Sequence, residues 1–153
     1  MTKMDPRILE FIDEHHVLTL AVARDQQPWC ASCFYVYLEE ENQFVFTSDD
    51  DTRHIRDAVE SGNFRVAGAI ALETGMVGKI RGIQFSGNLV KPHGDVLKKA
   101  KKRYLRKFPI ARMAKLELWG LVPGHIKMTD NRLGFGKKLI WNLDPMGNDS
   151  SVM

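Results

Sequence analysis

Three consecutive runs of alternating side chains, separated only by short turns, constrain this chain more than any other feature it has. In Val17 to Ala23, Leu18, Leu20 and Val22 share one face while Thr19, Ala21 and Ala23 share the other, which is the period of two that marks a strand. Trp29 to Leu38 is rich in aromatic and branched residues suited to a pleated surface, and in Gln43 to Thr47 the rings of Phe44 and Phe46 oppose Val45. The links, Arg24 to Pro28 and Glu39 to Asn42, are too short for the crossover that parallel strands need. An antiparallel meander follows, and a doubly wound parallel sheet is excluded.

The rest of the chain extends this pattern. Phe64 to Glu73 and Lys79 to Lys91 read as a hairpin punctuated by Thr74, Gly75 and Gly78, with Gly82 and Gly87 permitting bulges. Leu116 to Thr129 returns to strand with an interruption at Pro123 and Gly124, and Leu139 to Leu143 reads as an edge strand. Three helices are predicted. Asp5 and Pro6 open one that runs to about His15. Ser48 to Thr52 offers N-caps for a second, with Ile55, Ala58 and Val59 as its stripe and Gly62 as its stop. The third is Asp95 to Phe108, with Leu97, Ala100, Tyr104 and Phe108 on one face. The expected class is therefore mainly β (α+β): a six- to seven-stranded antiparallel split β-barrel with three short helices. Closure also disposes of exposed strand edges.

Composition narrows the functional classes. With 153 residues, 44% of them apolar, and a formal net charge of +3, one globular domain over 1–143 is expected, followed by a flexible polar tail over 144–153. No apolar run is long enough to span a membrane. Met1 to Phe11 carries Asp5 and Glu10 where a secretion signal needs an apolar stretch, so a cytoplasmic location is expected. Cys30 and Cys33 lie three apart in a strand, on opposite faces, and cannot easily meet as a redox or zinc pair. No metal site is expected. Gly75 to Lys79 lacks the spacing of a phosphate loop, and Leu133 to Lys137 lacks the third glycine of a dinucleotide fingerprint. His15 and His16 suit a helix C-terminus. The basic helix over 95–108 could follow a phosphate backbone. Its aromatics, Tyr104 and Phe108, fall on the apolar stripe and do not interleave with the charges, so nucleic acid ranks third among the readings.

One constellation carries more specific chemistry. Phe46, Thr47 and Ser48 end a strand, and Thr52, Arg53 and His54 begin the next helix. A helix N-terminus offers free amide hydrogens and the positive end of the dipole, which suits a phosphate. Arg53 adds a forked donor, and Thr47, Ser48 and Thr52 add hydroxyls. The competing interpretation is a capping cluster with a surface arginine, and Asp49, Asp50 and Asp51 favour it unless they point away.

These residues, in this order, give the chain a resemblance to the FMN-binding split-barrel proteins related to pyridoxamine phosphate oxidase, and most closely to their YhbP-type bacterial branch. The resemblance spans roughly Asp5 to Leu143. Its carriers are the opening helix and first strand, Phe44 to Ser48 with Thr52, Arg53 and His54, Asn63 to Val66, Arg81 to Gly87, and Lys127 to Trp141. It implies an FMN phosphate held at Thr52 and Arg53, with His54 standing where the family has a lysine, and a flavin ring lined from Ala31 to Tyr35, notably by Ser32 and Phe34. It also implies a homodimer with flavin between the subunits, to which Trp119, Trp141 or the basic helix could contribute from the partner. The activity implied is FMN-dependent hydride transfer from NAD(P)H to a small-molecule acceptor, with the flavin and not a side chain as the reactive group. No catalytic side chain is assigned. The pyridoxamine phosphate pocket itself is not recognisable. The alternative is a non-catalytic dimeric binding module for haem or another anionic ligand.

Overall fold

A computed structural model describes residues 2–144; the tail expected beyond Asp144 lies outside the described residues. The chain order is α1 (Pro6–Glu14), β1 (Val17–Arg24), β2 (Gln27–Leu38), β3 (Gln43–Thr47), α2 (Arg53–Glu60), β4 (Arg65–Ala71), β5 (Arg81–Val90), α3 (Gly94–Lys107), β6 (Leu118–Asp130) and β7 (Lys138–Asn142). Short 3-10 turns at Val77–Lys79, Pro109–Met113 and Asn131–Leu133 are additions to the expected elements. Each is three to five residues long, too short to leave a periodic signal.

All the pairings are antiparallel. The strands run β3-β2-β1-β4-β5-β6-β7, and β3 pairs again with β6. Thus β1 to β6 close into a barrel. β3 occupies the Leu118–Leu121 part of one β6 edge, and β7 takes the same edge further along, from His125 to Thr129. The expected break at Pro123 and Gly124 is a bulge inside one continuous strand. Ser86 pairs with His125 and Gly87 with Pro123, so Gly124 is the extra residue. A Cβ on Gly87 would stand 2.0 Å from the Val122 carbonyl oxygen, so only glycine fits the partner strand there. Gly82 keeps regular register.

The alternation seen in the sequence becomes inside and outside. Leu18, Leu20, Phe44, Phe46, Ile70 and Ile83 fill the barrel together with Ile8, Phe11 and Ile12 of α1 and Ile55 and Ala58 of α2. β3 is buried on both faces, because Val45 and Val36 point outward into a second cluster under Ala100 and Tyr104 of α3. Asp5 caps α1 as expected, its carboxylate accepting from the Arg7 amide. At the other end of α1, His15 Nδ1 donates to the Phe11 carbonyl at 2.8 Å. Cys30 is exposed and Cys33 buried, both as free thiols, as their strand spacing requires. No helix among the described residues is long and apolar enough to cross a membrane.

Candidate functional site

The site is built where β3 gives way to α2. Thr47 faces outward, and its hydroxyl meets the Tyr104 hydroxyl of α3 at 3.0 Å. The Ser48 amide donates to the Glu117 carbonyl, which extends the β3–β6 ladder by one residue. The chain then turns tightly, with the Thr52 amide donating to the Asp49 carbonyl at 3.1 Å. Thr52 Oγ1 donates to the same carbonyl at 2.8 Å. That hydroxyl is therefore turned back, and α2 starts with no side-chain cap. Its first-turn amides, on Arg53, His54 and Ile55, lie outside the reach of intrahelical acceptors.

His54 is half-buried and turns its Nε2 toward the Ser48 hydroxyl, with the Thr52 hydroxyl 3.3 Å away. Burial lowers its pKa below the ordinary 6.5, so at neutral pH it is a neutral hydrogen-bonding ring and not a cation. Burial pushes the pKa of the Cys33 thiol up to about 11; this thiol is inert. Arg53 diverges from His54. Its Nε donates to Asp57 at 3.3 Å, and its guanidinium lies 4.0 Å from the Trp29 ring centroid. A hollow of about 200 Å³ between Arg53, Asp57, Arg24 and Gln27 adjoins it.

The acidic run does not act as a block. Asp50 Oδ1 accepts from Trp119 Nε1 at 2.9 Å and from Lys91 at 3.2 Å, while Asp49 and Asp51 are exposed. Ser32 and Phe34 lie on the outer face of β2. Tyr35 opposite Phe46 puts Phe34 beside Thr47, and Phe34 is 56% exposed with its edge against Phe108 at 5.3 Å. The structure thus brings Ser48, Thr52 and His54 together, sets Arg53 beside them on separate supports, and leaves Thr47, Phe34 and Ser32 on the adjoining outer surface.

Sequence reasoning missed three supports. Asp57 was visible as an (i, i+4) partner of Arg53. Trp29 and Tyr104 reach the site only through tertiary contacts and carry no local signal. Within this chain Trp119 and Trp141 are largely buried, with their ring N–H groups donating to Asp50 and to the Thr2 carbonyl. On the basic helix, Lys99 is spent on Glu40 and Glu41, and Lys107 on the His15 carbonyl.

No family model matches the chain. A UPF0306 protein of Klebsiella pneumoniae (strain 342) is 41% identical over 134 residues, covering 88% of this chain and 90% of the relative. One from Photorhabdus laumondii is 42% identical over 134 residues, covering 88% and 92%. Among solved structures, a haem binding protein from Mycobacterium smegmatis superposes with a TM-score of 0.71 at 18% identity, over 93% of this chain and 60% of that one. The haem storage protein HutZ from Vibrio cholerae gives 0.62 at 19%, over 80% and 91%. A putative pyridoxamine 5'-phosphate oxidase from Listeria innocua gives 0.59 at 14%, over 80% and 93%. At these identities the solved structures establish the split-barrel fold alone.

Proposed function

The chain belongs to the UPF0306 family, and from that premise we propose that it is an FMN-binding protein whose phosphate cradle is the uncapped start of α2. The observation that carries this is a helix N-terminus lacking any side-chain cap, with the Ser48 hydroxyl and the His54 imidazole in contact beside it. Amides and hydroxyls are what a phosphate ester needs. Arg53 commits only its Nε to Asp57, which leaves its terminal nitrogens for a phosphate oxygen. The residues present therefore fit the group. Bound FMN supplies hydride and single-electron chemistry. The chain holds the phosphate through Ser48, Arg53 and His54, joined by Thr52 once its hydroxyl leaves the Asp49 carbonyl, and offers Phe34 and Ser32 as an apolar and a polar contact for the ring. The activity we propose is oxidoreduction of a small acceptor at the expense of NAD(P)H. The working unit is a homodimer. Its support is the outer face of β1 and β4, where Thr19 is exposed and the small side chains of Ala21, Ala67 and Ala69 are half-buried, continuous with exposed Val17 and Phe34.

The test is a fluorescence titration of dialysed protein with FMN and with riboflavin. FMN binds at least tenfold tighter, and Ser48→Ala with Thr52→Val removes most of that preference. Equal affinities for the two flavins overturn the proposal. Haem is the second reading, supported by the haem-binding neighbours and by His16 and His93. Their rings make no hydrogen bond among the described residues, whereas His15, His54 and His125 are engaged. A Soret band on adding hemin, lost in His16→Ala or His93→Ala, would favour it.

A further inference from the structure

A hollow of about 630 Å³ lies away from the phosphate cradle, between the N-terminal segment, α3 and β7. Asn42 at its wall and Ser48 at the cradle bracket β3, so six residues of extended chain, roughly 20 Å, separate the two. The floor is Met4, Leu9, Tyr37 and Trp141. Trp141 is 4% exposed, and the polar tips of the two aromatic residues are already satisfied: Trp141 donates to the Thr2 carbonyl and Tyr37 to Asn42. What is left for an occupant is apolar: the half-buried ring of Tyr37 and the narrow exposed margin of Trp141.

The rim carries charge of both signs, and the structure sorts it. Lys99 is held by Glu40 and Glu41 at 2.7 and 2.9 Å. Arg103 makes no hydrogen bond or ion pair among the described residues. It also lines an adjoining hollow of about 330 Å³ together with Arg106, Lys107 and His16, opposed there by Asp13 alone. Lys107 donates to the His15 carbonyl at 2.7 Å. Lys3 and Glu39 also stand on the rim, and Glu40 feels the Arg103 charge as well as Lys99; Arg103 is the rim cation that also faces the more basic adjoining hollow.

We propose that this cavity binds a small amphipathic organic anion, its ring or aliphatic body on Tyr37 and Trp141 and its carboxylate, sulfonate or phosphate on Arg103. The volume lies in the range of small-molecule sites, about 300–1,000 Å³, and an apolar floor under a charged rim suits a ligand that is itself amphipathic. Arginine suits the task because its planar fork meets an oxyanion with two donors. This site is independent of the flavin cradle.

The probes are 8-anilinonaphthalene-1-sulfonate and N-phenyl-1-naphthylamine, which share a ring body and differ in the sulfonate. The sulfonate dye binds at least tenfold tighter than the neutral one to the wild-type protein. Arg103→Gln erases that difference while near-UV circular dichroism is unchanged, and Lys98→Gln, on an exposed part of the same helix, leaves it intact. Leu9→Trp fills the floor and weakens both dyes. Equal binding of the two dyes, or an Arg103→Gln variant that keeps the preference, overturns the proposal. Displacement of the sulfonate dye by saturating FMN overturns the claim of a separate site, whatever the outcome of the riboflavin comparison.

Discussion

Replacing His54 with lysine puts a fixed positive charge where this chain has an imidazole, and the surroundings of His54 determine what the change does. His54 is half-buried, its pKa is lowered from the ordinary 6.5 by burial, and its ring is neutral at pH 8, so the proposed contact with a phosphate would be a hydrogen bond from an uncharged donor. Such a bond contributes about 0.5–1.5 kcal/mol, and one involving a charged donor about 1.5–3 kcal/mol. The substitution therefore gains about 1–1.5 kcal/mol toward FMN, roughly five- to tenfold in affinity. The burial that lowers the histidine also disfavours an ammonium in the free protein. Apo His54→Lys consequently melts below the wild type, and saturating FMN narrows the gap, since the ligand stabilises only the folded state. Riboflavin provides the control because it lacks the phosphate. The assay is a pair of fluorescence titrations at pH 8, with thermal melts of the free and FMN-saturated proteins. An equal gain for riboflavin and FMN, or no gain for either in a folded variant, refutes the assignment of His54 to the phosphate.

Two further outcomes follow from the packing. Tyr35 is fully buried and its hydroxyl donates to the Ile12 carbonyl of α1 at 2.6 Å; Tyr35→Phe leaves that carbonyl unpaired and costs about 1–3 kcal/mol, read as a lower urea midpoint with an unchanged slope. The depressed pKa of His54 makes stability depend on pH: its contribution is complete above the ordinary value of 6.5 and declines as pH falls from there through the folded value, where the unfolded chain binds the proton first. Urea midpoints of wild type and His54→Gln between pH 8 and 5 check this, and a wild-type slope matching the variant's would contradict it.

The barrel was legible because its strands announce themselves locally. Gln43–Thr47 is found at its expected bounds, and β1 differs from its reading by one residue. What escaped was whatever depends on a partner. Pro123 and Gly124 look like a break in isolation, and only Gly87 on the neighbouring strand reveals a bulge. The gathering of Ser48, Thr52 and His54 was readable because seven residues hold all three. The stacking of Arg53 on Trp29 joins residues 24 apart across a hairpin, and no local pattern encodes it. The outward orientation of Cys30 against inward Cys33 followed from the pleat alone.

Whether a dianion can sit beside three successive aspartates is decided by how the neighbouring charges are paired. Asp50 is engaged by Trp119 and Lys91, with the Lys91 ammonium 4.1 Å from the Trp119 ring centroid. Glu117, whose backbone carbonyl anchors Ser48, has its carboxylate on Lys115 at 2.8 Å. Asp57, within α2 itself, is held by Arg53. Three of the nearest carboxylates are thus neutralised pairwise, and Asp49 and Asp51 are left in water, where high dielectric weakens their field. The helix terminus, by contrast, acts at contact distance through amides that nothing caps. A neutral histidine is then sufficient at position 54, because the local balance no longer requires a further fixed positive charge to admit a phosphate.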